Sequence, residues 1–321
     1  MGIIAIGASV VGGLAVLAGA GYTYGAYALY KKTIPRQTES RVSRDEVGDA
    51  QKWEGYIKFI HENKDFLSAR ESEHITIKSR DDLTLHADLF PADSSSDTIV
   101  LMSHGYTSTG WDSCSTIGAY FVKKGYDALI VDNRAHGKSE GDYVGFGILD
   151  RFDLKNWIDY INERFEGKKN ILLYGVSMGG ATVLMTAGFG ELPNVKAIIA
   201  DCAYTSPYEV FGHIMQRDYH MPKKLVMGIN SKMTRKKAGY GFSDYSTLEA
   251  LKNSSLPILF VHGSEDTFVP TAMSHENFNA YEGPKQLLIM ENAGHAASYY
   301  ENHELYEKTI EEFLGKFVPE I

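Results

Sequence analysis

Gly175-Val176-Ser177-Met178-Gly179-Gly180 is the stretch whose reading decides the fold. The apolar run Asn170-Ile171-Leu172-Leu173-Tyr174 precedes it and reads as a strand, and Ala181 to Ala187 follows and reads as a helix. Strand, sharp turn and helix with a serine at the apex match G-x-S-x-G, the nucleophile elbow, in the context that motif requires. The serine must take strained backbone angles so that its hydroxyl projects from the sheet edge. Glycines two residues before and two after it relieve the crowding where strand and helix cross. The N–H of Met178 then lies at a helix N-terminus, where a developing oxyanion is stabilised.

Strands and helices alternate on either side of this turn. His74 to Lys78 and Leu83 to Phe90 read as a hairpin around Asp81-Asp82, and Thr98 to Ser103, Asp127 to Val131, Val195 to Ala200, Pro257 to Val261 and Lys285 to Met290 as further strands. Ile117 to Lys124, Leu149 to Phe165, Met273 to Tyr281 and Glu304 to Phe317 read as helices between or after them. Apolar strands separated by helices predict a mostly parallel sheet covered on both faces, with the hairpin adding antiparallel pairing at one edge. Tyr204 to Tyr245 is too long for a simple connection. Its apolar Phe211, Ile214, Met215, Leu225, Val226 and Met227 and its basic Lys223, Lys224, Lys232, Arg235, Lys236 and Lys237 predict a helical insertion over the strand ends. It is expected to be a lid with an apolar underside that shapes a substrate pocket, because ligands of open α/β sheets bind at the carboxyl ends of strands. The alternative is a packed helical excursion with a solvated basic face.

A serine nucleophile needs a base, and the base an orienting carboxylate. Asp266 lies beyond the strand ending in Val261-His262-Gly263, and His295 lies in the loop leaving the strand Lys285 to Met290. If consecutive strands are neighbours, the two side chains meet. Asp201, at the end of the strand after the elbow, is the alternative acid; Glu265 is adjacent to Asp266, and both cannot point into one site. Asp132, beside Arg134 and Gly137, reads as a structural hydrogen-bonding residue, and His104, His136 and His262 as turn residues supporting the site. Ser103-His104-Gly105-Tyr106-Thr107 ends a strand on the oxyanion side, so the N–H of Tyr106 is expected to pair with that of Met178. No metal or other cofactor is called for: the histidines are scattered without a His-Glu-x-x-His pattern, and G-x-G-x-x-G does not follow the first strand.

In order, His104-Gly105, Asp132-Asn133-Arg134-Ala135-His136-Gly137-Lys138-Ser139, the serine turn, His262-Gly263-Ser264-Glu265-Asp266 with Val269-Pro270, and Gly294-His295 resemble the α/β-hydrolase superfamily from about Glu73 to the C-terminus. Ile199-Ala200-Asp201-Cys202 and Gly294 to Tyr299 look like a bacterial branch with an N-terminal anchor, labelled serine aminopeptidase-like or lysophospholipase-like. The resemblance implies the α/β-hydrolase fold, Ser177, Asp266 and His295 as triad, and Tyr106 and Met178 as oxyanion donors. Asn133 and Ala135 depart from a turn in which Arg or Gly is often seen.

The composition sets the remaining limits. The 321 residues are 44% hydrophobic and 23% charged, enough for one α/β domain with a buried core. A net charge of −9 argues against nucleic acid as a partner. Cys114 and Cys202 show neither metal spacing nor a disulfide framework. Nothing in the pattern specifies an oligomer. Gly2 to Tyr30 carry no charge, Tyr22, Tyr24, Tyr27 and Tyr30 gather at the end of the stretch, and Lys31, Lys32 and Arg36 stop it. Residues 1–32 are therefore expected to be a single-pass membrane anchor rather than a cleaved signal peptide. The positive-inside tendency would put the domain in the cytosol, though the side it faces is left open. Gly21 and Gly25 form a small-xxx-small pair of the sort chance supplies in so glycine-rich a stretch. Residues 33–72 are expected to be a polar linker followed by an amphipathic helix, Asp45 to Leu67, leaning on the domain or on the membrane surface. Residues 73–321 form the catalytic domain.

The expected activity is a carboxylesterase- or lipase-type serine hydrolase acting on a small acyl ester, of a lipid or a medium-length chain, through an acyl-enzyme. A peptidase or amidase of the same fold is the alternative, and a non-catalytic binding module a more distant one.

Overall fold

The computed structural model describes residues 19, 21–37, 50–319 and 321. Eight strands form one sheet: β1 (Glu73–Lys78), β2 (Thr84–Phe90), β3 (Thr98–Ser103), β4 (Asp127–Asp132), β5 (Asn170–Val176), β6 (Val195–Asp201), β7 (Ile258–Gly263) and β8 (Lys285–Met290). Their order is β1-β2-β4-β3-β5-β6-β7-β8. Only β2 runs against its neighbours; every pairing from β4 to β8 is parallel. The expected strands are all present. The hairpin turns at Asp82, whose φ is 66°.

The middle strands are apolar on both faces because both faces are covered. In β5, Leu172, Tyr174 and Val176 enter one core and Ile171 and Leu173 the other. The first core lies under α2 (Ala50–Ser68), α3 (Gly110–Lys123) and α11 (His303–Phe317). The second lies under α4 (Asp150–Arg164) and α5 (Met178–Ala187). The helix expected from Ile117 begins seven residues earlier, because Thr109 caps it by accepting the N–H of Asp112.

The insertion folds as two helices, α6 (Pro207–Tyr219) and α7 (Lys223–Ala238). Pro207 opens α6 after the Ser206 cap, and Gly239, at φ 80°, closes α7 in the left-handed conformation that favours glycine. Their apolar faces bury Phe211, Met215, Val226 and Met227 in a third core with Phe146, Met178, Met185, Tyr240 and Phe242. Lys224, Lys232, Lys236 and Lys237 are exposed on the other side. α8 (Thr247–Ala250) leads back toward β7, and α9 (Thr271–Ala280) and α10 (Ser298–Glu301) complete the layers.

Two findings bear on the N-terminal expectations. Residues 1–18, most of the expected anchor, lie outside the described residues. The part that is described, 21–33, is a helix, α1, which rests on the insertion. Ala26, Leu29 and Tyr30 join the third core, Gly25 packs against Met221, and the buried Asn230 amide donates to the Ala26 carbonyl. No helix among the described residues is long and apolar enough to cross a membrane. The expected linker also starts inside the domain. Ile34 is fully buried, Pro35 bridges Tyr143, and Arg36 donates to the carbonyls of Gly137 and Ser139. Polar composition hid these attachments, because the backbone and one guanidinium make most of them. Residues 38–49 lie outside the description. The amphipathic helix is α2, and it leans on the domain through Phe59, Phe66 and Leu67.

Candidate active site

The serine turn has the backbone its motif demands. Ser177 sits at φ 56° and ψ −113°, outside the regions a non-glycine residue ordinarily occupies. A Cβ on Gly175 would lie 2.2 Å from the Gly179 carbonyl oxygen, and one on Gly179 2.0 Å from that of Ser103. Any other residue at either position would force strand and helix apart. Met178 is the first residue of α5, so its N–H has no acceptor within the helix.

β7 and β8 are neighbours, and the loops beyond them bring Asp266 and His295 to Ser177. His295 Nε2 lies 2.9 Å from Ser177 Oγ, and its Nδ1 lies 2.7 Å from Asp266 Oδ2. All three residues are buried, at 5–6% exposure, so solvent competes little for these bonds. Asp266 Oδ1 accepts the N–H groups of Phe268 and Val269, each at 2.9 Å, and Oδ2 also faces His262 Nε2 at 3.0 Å. Burial by itself would raise the Asp266 carboxyl. The charge of His295, the hydrogen bonds from both imidazoles and the charge of His262 outweigh it and hold the group well below the usual carboxylate range.

The rival acids stand elsewhere. Glu265 is exposed while Asp266 is buried. Asp201 is buried behind the site and accepts the Tyr306 hydroxyl at 3.0 Å, and no histidine bonds to it among the described residues. Burial raises the Asp201 carboxyl against the pull of that hydroxyl, so it carries its charge less readily than Asp266. Asp132 accepts the N–H groups of Gly110 and Lys138, each at 2.8 Å, and so fixes two turns.

The loop after β3 runs beside the serine. A Cβ on Gly105 would lie 3.6 Å from Ser177 Cβ. Buried His104 holds this loop: its Nε2 accepts the N–H of Asn133 at 3.0 Å, which leaves the proton on Nδ1 to donate to the Gly105 carbonyl at 2.6 Å. Asn133 returns the contact, donating to the His104 carbonyl and accepting the Ser103 hydroxyl. His136 Nε2 accepts the N–H of Thr107 at 3.3 Å, and burial lowers its pKa to about 3, which keeps it neutral. Ala135 takes φ 60°, the left-handed conformation that a glycine would adopt with less strain.

A cavity of about 370 Å³ opens over Ser177 and His295. Gly105, Tyr106 and Val176 line its floor, Phe268 and Tyr300 its sides, and Trp53, Ile60 and Lys64 of α2 its outer wall. Lys64 Nζ is 3.0 Å from Asp112 Oδ1 at the polar end, near Ser108 and Ser113. No residue of the insertion lines this cavity, so the expected lid does not shape it. The apolar underside that suggested a pocket is occupied by Phe146, Met185 and α1. The insertion instead supports the acid loop from outside, where His213 and Arg217 donate to the Thr267 carbonyl. Sequence reasoning missed Trp53, Ile60 and Lys64. Their helical spacing was legible, but not that α2 would reach the serine.

Cys202, Asp266 and His295 are the one group among the described residues whose donor atoms could hold a metal ion together. Asp266 and His295 already bond to each other, and burial pushes the Cys202 thiol well above its ordinary value, away from the thiolate a metal prefers.

A family model described as serine aminopeptidase, S33, matches residues 94–240, a stretch that contains Ser177 but neither Asp266 nor His295. The uncharacterized protein YqkD of Bacillus subtilis is 29% identical over 215 residues, covering 67% of this chain and 70% of its own. The uncharacterized protein YfhR of Escherichia coli K12 is 22% identical over 227 residues, 70% of this chain and 72% of its own. Among solved structures, the Pyrococcus furiosus esterase Pf2001 superposes with a TM-score of 0.63 at 23% identity, over 79% of this chain and 93% of that one. A Pyrococcus horikoshii acylaminoacyl peptidase superposes at 0.55 and 18%, over 75% and 41%.

Proposed function

We propose, on the premise that the chain belongs to the α/β-hydrolase superfamily, that it is a serine hydrolase of carboxylic esters. The observation that carries this reading is the unbroken chain of hydrogen bonds from Ser177 through His295 to Asp266, set on a strained serine turn.

In this reading Ser177 Oγ attacks the acyl carbon while His295 Nε2 takes its proton. Asp266 holds the imidazole with its other proton on Nδ1 and stabilises the imidazolium. The N–H groups of Met178 and Tyr106 receive the tetrahedral oxyanion. His295 returns the proton to the departing alcohol, leaving an ester on Ser177. Water, deprotonated by His295, repeats the attack and releases the acid.

The cavity points to short and medium acyl groups. Its volume of about 370 Å³ is at the lower end of ligand pockets, which span roughly 300–1,000 Å³. Trp53, Ile60, Phe268 and Tyr300 offer it apolar walls. The matched family name makes amide or peptide cleavage the second reading. Asp112 is the acid that a substrate ammonium would meet at the cavity edge, but it already holds Lys64. A panel of p-nitrophenyl esters beside aminoacyl anilides separates the two. Hydrolysis of the anilides but not the esters overturns the esterase reading.

Membrane attachment belongs to the same proposal and rests on the uncharged stretch from Gly2 to Tyr30. Extraction of the protein from membranes by carbonate alone would contradict it.

A further inference from the structure

α1 ends against the loop after β3, which carries the oxyanion donor of the proposed mechanism. The last carbonyls of a helix have no partner within it. Here the Tyr106 hydroxyl reaches two of them, lying 3.1 Å from the Lys32 oxygen and 3.2 Å from that of Thr33. The Tyr106 ring packs on Phe146, with centroids 5.0 Å apart, and Phe146 belongs to the core that holds α1 and α7 together. α1 is fixed along its length: Gly25 lies against Met221, Asn230 donates to the Ala26 carbonyl at 2.9 Å, and Val144 N–H donates to the Ile34 carbonyl at 2.8 Å.

Resting on the serine-hydrolase reading, we infer that α1 is a positioning element of the active site and that the Tyr106 hydroxyl is the link. The side chain, tied to the end of α1, fixes the rotation of the backbone between Gly105 and Thr107. That rotation aims the Tyr106 amide beside Ser177. The neighbouring Thr107 is held at φ 55°, a conformation that costs a non-glycine residue energy and that the surrounding contacts must maintain. The chain reaches α1 directly from the uncharged N-terminal stretch, so an attachment there acts on the oxyanion hole through a single helix.

The test uses the full-length protein and p-nitrophenyl butyrate, with an alkyl boronic acid as transition-state analogue. Tyr106→Phe keeps the ring and removes the hydroxyl. The expected result is a fall in kcat of about tenfold, short of the roughly 10²–10³ that outright loss of an oxyanion donor costs. KM stays unchanged, and boronic acid binding weakens by the same factor as kcat/KM. Asn230→Ala loosens α1 without touching the cavity and should give a smaller fall of the same kind. The double variant should be no slower than Tyr106→Phe alone, because the two changes act through one element. A fully active Tyr106→Phe overturns the inference, and so does a loss confined to KM. Fluorophosphonate labelling of the wild type tells the two failures apart: an unlabelled, inactive wild type overturns the serine-hydrolase reading and the inference with it.

Discussion

The imidazole of His262 stands 3.0 Å from the carboxylate of Asp266, on the same oxygen that faces His295. His262 is itself pinned by the Ser274 hydroxyl at 2.6 Å, and its Nε2 also reaches the Val269 carbonyl at 2.9 Å. A second imidazole thus helps hold the acid ionised and in place.

Replacing His262 with Ala should therefore act on the acid. The charge and hydrogen bond of His262 both lower the Asp266 carboxyl, so their loss raises it. A lowered carboxyl contributes stability that is present above its unfolded pKa and is lost as pH falls through the folded one. The variant should begin to lose stability at higher pH than the wild type as solutions are acidified. Urea unfolding over acid pH measures this; an unchanged acid limb of stability would contradict it.

Asp266→Asn should keep the fold and cost kcat heavily. The amide accepts from Phe268 and Val269 as before, but its NH₂ can face His295 Nδ1 and favour the wrong tautomer. Such a change costs roughly 10⁴ in kcat where the acid orients a catalytic histidine. Asp201→Asn should leave turnover near that of the wild type, since Asp201 bonds Tyr306 and not His295. If Asp201→Asn instead had the larger effect, the acid would be misassigned.

In the esterase reading, the outer wall of the cavity should set acyl preference. Trp53 packs at a tilt against Tyr300, with centroids 5.3 Å apart and 59° between the ring planes, and both line the cavity over Ser177. Trp53→Ala enlarges that space. The optimum in a p-nitrophenyl ester series should move to longer chains, with activity on acetate little changed. Because α6 and α7 do not line the cavity, Leu225→Ala should leave the profile where it was. An unmoved optimum in Trp53→Ala would place the acyl group elsewhere.

Asp150 should make stability fall toward neutral pH. It is buried, its Oδ2 accepts the N–H of Gly147, and its Oδ1 has no partner among the described residues. Burial, helped by the charge of Asp153, raises its carboxyl to about 6 against the pull of Arg134. A raised folded value means stability that is complete below the unfolded pKa and lost as pH rises through the folded one. A shift of that size corresponds to about 3 kcal/mol once the group is ionised. Asp150→Asn should be the more stable protein at pH 7 and lose its advantage near pH 4. Urea unfolding at the two pH values checks this; equal differences at both would contradict it.

The sheet and the Ser177–His295–Asp266 constellation were legible because local chemistry dictates them. Gly175 and Gly179 are required by backbone contacts near 2 Å, and runs such as Leu172 to Val176 are apolar because both faces are covered. What packs on what was less legible. An apolar helix face looks the same whether it roofs a pocket or fills a core, so α6 and α7 read as a lid while Phe146 and Met185 filled the space beneath them. Gly25 read as chance or as a helix-pairing glycine, and its real neighbour, Met221, lies 196 positions along the chain. Trp53 and Lys64 reach the cavity only through the docking of α2, which no local pattern encodes.

The central claim is that Ser177 is the nucleophile. The most direct measurement is peptide mapping by mass spectrometry after the full-length protein reacts with a fluorophosphonate, beside its Ser177→Ala variant. The account predicts a single adduct, on the peptide carrying Ser177, and none on the folded variant. An adduct that persists in Ser177→Ala, or a wild type that takes none, would contradict it.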